Sequence, residues 1–161
     1  MNRKEAFLKH QAQITKNPFL LAIEKAKGSY IYTTDKRKYI DLVAGVSSCT
    51  LGHSHPAIIN AVKKQLDLHT HVMVYGEFIQ EKPLELAKSL AEYLPKQLSC
   101  TYLVNSGTEA IEGAIKLAKR KNGRKKVISC FHSYHGSTQG SLSAMGTEAM
   151  KEKYRPLIPH H

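Results

Sequence analysis

A chain of 161 residues with 24 Lys+Arg against 13 Asp+Glu and 42% apolar residues is long enough for one domain with a core and short for two. This apolar content argues against wholesale disorder, and no run reaches the ~20 apolar residues that cross a bilayer. The opening MNRKEAFLKHQAQ has no apolar stretch of the secretory kind, so the expectation is a cytoplasmic protein that does not engage a membrane.

In chain order, the first element is an amphipathic stretch from about Glu5 to Ile14, broken at Asn17-Pro18. Gly28 to Val43 reads as two short strands joined by a charged turn, Asp35-Lys36-Arg37-Lys38. Gly45 to Pro56 is a long loop rich in small residues. Pro56 opens a helix whose apolar face carries Ile58, Ile59, Val62 and Leu66. A second helix runs from about Glu81 to Leu94, with Leu84, Ala87, Leu90, Ala91 and Leu94 on one side. Then come an apolar strand at Cys100–Val104, a turn at Asn105-Ser106-Gly107, a helix over Thr108–Lys121 stopped by Asn122-Gly123, and a strand at Val127–Cys130. Strand, helix and strand in about 30 residues make a βαβ unit, which implies an α/β fold with a parallel sheet.

Cys49, Cys100 and Cys130 are odd in number and widely spaced, matching neither a disulfide framework nor a zinc site; reduced, buried thiols are expected at Cys100 and Cys130. The nine histidines show no metal-binding helical spacing, so no metal is expected. Seven of the eleven residues Lys116–Lys126 are basic. They read as the last turn of a helix plus a solvated loop, with no nucleic-acid recognition motif nearby.

Ser106-Gly107-Thr108-Glu109 stands where strand passes to helix. It reads as a well-capped helix start, with Ser106 as N-cap and Glu109 at the capping-box position. The same geometry, with free N–H groups, a glycine and two hydroxyls, also makes a phosphate cradle. The G-K-[ST] of a Walker loop and the G-x-G-x-x-G of a dinucleotide fold are both absent. Past the next strand, Phe131 to Ser137 offers Tyr134 as a stacking ring and Gly136 as a point of close approach. Two loops leaving the carboxyl ends of parallel strands can share one crevice, and together they suit a phosphorylated, flat heteroaromatic ligand.

The run Asn105-Ser-Gly-Thr-Glu-Ala110-Ile-Glu112-Gly-Ala114-Ile-Lys-Leu-Ala118-Lys-Arg120, followed by Tyr134-His135-Gly136, closely resembles the class III aminotransferases. These fold-type I enzymes depend on pyridoxal 5′-phosphate (PLP). Upstream, Gly28-x-Tyr30-x-Tyr32, Tyr39-Ile-Asp41, Gly45 and Gly52-His53-x-His55-Pro56 resemble the family's N-terminal segment, so the likeness runs from about residue 28 to Pro156. It implies the fold-type I architecture, with residues 1–55 as an N-terminal segment (small-domain part and substrate-entrance loop) and 56–161 as the first part of the large cofactor-binding domain.

Residue by residue, the resemblance implies that Ser106, Gly107 and Thr108 hold the cofactor phosphate through N–H groups and hydroxyls. It puts Tyr134 on the pyridine ring, with His135 against it. Ser47 and Ser48 would line the substrate entrance, and Tyr75 would belong to the substrate side near a subunit interface. The family's Schiff-base lysine follows the Tyr-His-Gly motif, and none of the lysines here matches its position, so the chain looks like the first part of a longer enzyme and by itself inactive. The implied reaction is transfer of an amino group from an ω-amino or ornithine-like donor to a 2-oxo acid, in a homodimer, with aminomutase or decarboxylase chemistry as related subtypes. A cofactor-binding module without catalysis and a basic nucleic-acid-binding domain are the alternatives.

Overall fold

The computed structural model describes residues 2–73 and 75–159; Met1, Val74, His160 and His161 lie outside the described residues. The chain divides into two units, Met1–Tyr75 and Gly76–His161.

In the first unit, α1 (Arg3–His10) starts on a reciprocal cap, in which Asn2 Oδ1 accepts from the Glu5 N–H and Glu5 Oε2 accepts from the Asn2 N–H, both at 2.9 Å. It ends at His10 rather than Ile14. Next comes an antiparallel sheet in the order β1 (Ile23–Lys27), β2 (Tyr30–Thr33), β3 (Lys38–Ile40). The two strands expected from the sequence are β2 and β3, and the polar β1 is an addition. Gly28, at φ +55°, makes the two-residue turn from β1 to β2 that side chains with a Cβ resist. Between β2 and β3, the Arg37 guanidinium and the Thr33 hydroxyl beside Asp35 hold its carboxyl down to about 2. The sheet is tied to the following loop by a two-way backbone bridge, Gly28 N–H to His53 O (2.9 Å) and His53 N–H to Gly28 O (2.8 Å). Then α3 runs over Pro56–Leu68 as expected, with proline in its first turn.

In the second unit, α4 (Glu81–Tyr93) and α5 (Gly107–Asn122) fall within a residue of their sequence-derived bounds. Acidic Glu109 in the first turn of α5 and Lys119, Arg120 and Lys121 in the last complement the helix dipole, and Gly123, at φ +68°, ends it. A short α6 (Gln139–Ala144) and two single turns of 3-10 helix (Glu148–Met150, Glu152–Tyr154) complete the unit.

Strand, helix and strand appear in the expected order only in part, since Cys100–Val104 and Val127–Cys130 carry no ladder hydrogen bonds among the described residues. A parallel strand exists only through its neighbours, and these two segments have none, which leaves Tyr102 and Ile128 exposed. For the same reason Cys100 and Cys130, expected inside, are exposed free thiols.

Burial is sparse. Among the described residues the buried side chains are Thr33 in the sheet and the α6 cluster Ser141–Met145. The chain exposes 13,993 Å², whereas two separate globules of half its mass would expose about 9,700 Å² together. Apolar helix surface is part of the excess: Ile58, Ile59, Val62 and Leu66 on α3, and Leu84, Leu86 and Leu90 on α4, are all exposed.

Candidate functional site

A cleft in the second unit lies between the first turn of α5 and the loop that precedes α6. It has a volume of about 540 Å³ and is lined by Ser106, Gly107, Thr108 and Ile111 from one side and by Tyr134–Ser137 from the other. This is the size range of small-molecule sites. The structure therefore brings the five residues Ser106, Gly107, Thr108, Tyr134 and His135 around one cavity.

Local chemistry explains how each wall is held. Ser106, extended at φ −149°, caps α5 by accepting from the Glu109 N–H at 3.3 Å. Glu109 Oε2 in turn accepts from the Ser106 hydroxyl (3.1 Å) and from the Asn105 N–H (2.8 Å). That differs from an ordinary capping box, in which the glutamate would take the cap residue's own N–H. The N–H groups of Ser106, Gly107 and Thr108 thus have no acceptor among the described residues. They form a cluster of open donors at the positive end of the helix dipole. The hydroxyls are spent internally, since Thr108 Oγ1 lies 2.8 Å from Thr138 Oγ1 and 2.6 Å from Ser141 Oγ. An arriving anion meets backbone donors, and the side chains stiffen the turn behind them. A Cβ on Gly107 would meet nothing within 4 Å, so the mouth is open there.

The opposite wall is a tight loop. His132 takes φ +59°, Ser133 Oγ donates to the Cys130 carbonyl (2.7 Å), and the Gly146 N–H donates to the Ser133 carbonyl (3.0 Å). This turn presents the exposed ring of Tyr134, whose hydroxyl is 3.2 Å from Ser137 Oγ. His135 is half-buried beside it. Gly136, at φ +125°, passes so close to Thr108 that any side chain would collide with the Thr108 and Ser141 hydroxyls.

Ser47, Ser48 and Tyr75 belong to the first unit. Ser47 closes α2 (Ala44–Ser47), a single turn in which Ala44, Gly45, Val46 and Ser47 all have positive φ, between 48° and 65°. Left-handed backbone costs about 1–2 kcal/mol for each residue other than glycine, so this loop is held by its surroundings. Asp41 is the anchor: Oδ1 accepts from the Val43 (3.0 Å) and Ala44 (2.9 Å) N–H groups, and Oδ2 lies 2.6 Å from His53 Nε2. The His53 hydrogen bond, helped by the Ala44 N–H, holds the Asp41 carboxyl below the usual aspartate range. The pair joins two separate motifs, Tyr39-Ile-Asp41 and Gly52-His53. Ser48 Oγ turns back to the Gly45 carbonyl (2.8 Å), while the Ser47 hydroxyl has no partner among the described residues. Tyr75 is exposed.

The residue that sequence reasoning passed over is Glu112, one turn into α5. Its Oε1 accepts from the Gly140 (2.8 Å) and Ser141 (3.1 Å) N–H groups and from the Thr138 hydroxyl. Nothing within its own helix signals this role, because its partners lie about 28 residues downstream. Among the described residues no lysine lines the cleft, and no three His, Cys, Asp or Glu side chains gather as for a metal. No helix among them is long and apolar enough to cross a membrane.

Comparison with known proteins gives this geometry a context. The family profile of class-III aminotransferases matches residues 11–161. The acetylornithine aminotransferase of Methanopyrus kandleri is 38% identical over 145 residues, covering 90% of this chain and 37% of that enzyme. Among solved structures, adenosylmethionine-8-amino-7-oxononanoate aminotransferase from Methanocaldococcus jannaschii aligns with a TM-score of 0.89 and 30% identity, over 96% of this chain and 38% of its own. The omega transaminase from Pseudomonas jessenii, solved in complex with PMP, aligns with a TM-score of 0.86 and 26% identity, over 99% and 38%. The chain spans a little over a third of the length of each of these proteins. The chain belongs to the class-III aminotransferase family.

Proposed function

We infer that the cleft between α5 and the Tyr134 loop is the phosphate and ring site for PLP, in a transamination that moves an amino group from an ω-amino or ornithine-like donor to a 2-oxo acid. One observation carries this reading: three open backbone donors at a helix N-terminus share a cleft with an exposed aromatic ring. The site fits the cofactor by its own chemistry. The N–H groups of Ser106, Gly107 and Thr108 suit a phosphate dianion, and the tight glycine at 136 keeps the Tyr134 loop against the same turn.

When bound, PLP supplies an electron-withdrawing ring that eases proton loss from the carbon bearing the donor's amine. The chain's own residues bind and orient it. Backbone donors at 106–108 fix the phosphate without a side chain having to reorganise. The Tyr134 ring, oriented by its hydroxyl contact with Ser137, would stack on the pyridine. His135 packs beside it. Ser47, whose hydroxyl is uncommitted, is the better substrate-side candidate than Ser48, and Tyr75 is assigned to the substrate and subunit-interface side. Residues 1–55 then serve as the small-domain part and entrance loop, and residues 56–161 as the start of the cofactor domain. The uncovered apolar faces of α3 and α4 support burial against further protein, in keeping with a homodimer. A cytoplasmic location follows from the same metabolic role.

Equilibrium dialysis of PLP against pyridoxal tests the site. PLP is expected to bind the chain at least about tenfold more tightly than pyridoxal, since the phosphate meets the helix N-terminus. Equal affinity for the two would refute the phosphate assignment. With no lysine in the cleft, the chain by itself is expected to bind without turnover of any amino donor.

A further inference from the structure

The loop carrying Tyr134 and the turn carrying the open N–H groups are separate pieces of chain, about 30 residues apart. Something has to fix the distance between them. The contacts between them converge on one side chain. Glu112 Oε1 takes the Gly140 and Ser141 N–H groups, in the first turn of α6, and also the Thr138 hydroxyl. Thr138 and Ser141 in turn contact Thr108 Oγ1, in the first turn of α5. A Cβ at Gly140 would collide with the Glu112 carboxylate, so glycine is what admits this approach. The far end of α6 is closed by Lys151, whose Nζ donates to the Met145 (2.7 Å) and Ser143 (3.4 Å) carbonyls. The cluster Ser141–Met145 is the longest buried run among the described residues.

We propose that Glu112 is a positioning residue for the cofactor cleft: by clamping the start of α6 onto α5 it sets the spacing between the phosphate-facing N–H groups of 106–108 and the ring of Tyr134. This rests on the PLP reading above and adds to it a residue that touches neither cofactor nor substrate. The carboxylate suits the task because it offers several lone pairs at once to two N–H groups and a hydroxyl. Phosphate alone senses only α5, whereas PLP senses α5 and the loop together. Loss of the clamp should therefore weaken PLP and spare inorganic phosphate.

The test compares wild type, Glu112→Ala and Glu112→Gln in the full chain, with PLP and inorganic phosphate as probes and amide exchange at Gly140 and Ser141 as a readout free of ligand. In Glu112→Ala, PLP binding is expected to weaken by about tenfold or more, with phosphate affinity kept within about twofold. The Gly140 and Ser141 amides are expected to lose protection in that variant. Gln keeps an acceptor oxygen in place, so Glu112→Gln should recover most of the PLP affinity and the protection. If PLP affinity is unchanged in Glu112→Ala while the amides exchange freely, the positioning role is wrong. Equal loss of PLP and phosphate, without recovery by Gln, would likewise overturn it in favour of general unfolding. If wild type itself fails to prefer PLP over phosphate, the cofactor reading falls and the positioning role with it; loss of Gly140 and Ser141 protection in Glu112→Ala would then still show Glu112 clamping α6.

Discussion

Each unit of this chain hangs a short helical turn on one carboxylate, and the two anchors differ in what backs them. In the first unit Asp41 accepts from the Val43 and Ala44 N–H groups and pairs with His53. It holds a left-handed turn whose side chains, Val46 among them, remain exposed. In the second unit Glu112 accepts from the Gly140 and Ser141 N–H groups, and the helix it starts is buried over most of its length. Packing fixes α6, whereas α2 depends on hydrogen bonds to the Asp41 carboxylate against about 1–2 kcal/mol of strain per non-glycine residue. The cofactor wall is thus built as a small core, and the proposed entrance loop as a polar latch that pH and substitution can loosen.

The largest break should come from the buried side. Gly136→Ala puts a methyl against Thr108 and Ser141 at φ +125°, so a loss of about 2–4 kcal/mol in the second unit is expected. PLP binding should disappear with it, as thermal melts and dialysis would show. Next in size is the ring. Tyr134→Ala should weaken PLP by about tenfold, and Tyr134→Phe by much less, because stacking rather than the hydroxyl provides most of the contact. Dialysis of the pair separates stacking from hydrogen bonding.

The polar latch is broken by acid. His53 and the Ala44 N–H lower the Asp41 carboxyl, so its contribution to stability is present above the ordinary aspartate range and is lost as pH falls through its depressed value. Thermal melts of the wild type should therefore fall on acidification below about pH 4, and Asp41→Asn should start lower and lose less of its stability there. The smallest effect is a gain. Val46→Gly relieves a β-branched residue at φ +56°, for about 0.5–1 kcal/mol after glycine's extra unfolded entropy. A melting temperature unchanged or lowered by that substitution would mean the left-handed turn is not strained.

The helices were legible because their ends are written locally: Pro56 at the start of α3, Ser106 and Gly123 at either end of α5. The cleft was legible in the same way, as a cap motif and a Tyr-His-Gly loop. What escaped depends on contacts between distant segments. β1, Ile23–Lys27, lacks an alternating apolar pattern, and its one signal was the Gly28-Ser29 turn joining it to β2. α6 is six residues containing glycine and two serines, a poor helix by propensity that exists because it is buried and clamped. Glu112 stands in the run that carries the resemblance, but its partners at Gly140 and Ser141 cannot be read from the helix itself. The parallel pairing of Cys100–Val104 with Val127–Cys130 was read from order alone, and a ladder needs adjacent strands that neither segment has here.

Amide chemical-shift mapping of the full chain during a PLP titration tests the central claim most directly. Saturable shifts centred on Ser106, Gly107 and Thr108 and on Tyr134–Gly136 are expected, with inorganic phosphate reproducing only the first group. Shifts centred instead on the basic stretch Lys119–Lys126, or none that saturate, would contradict it.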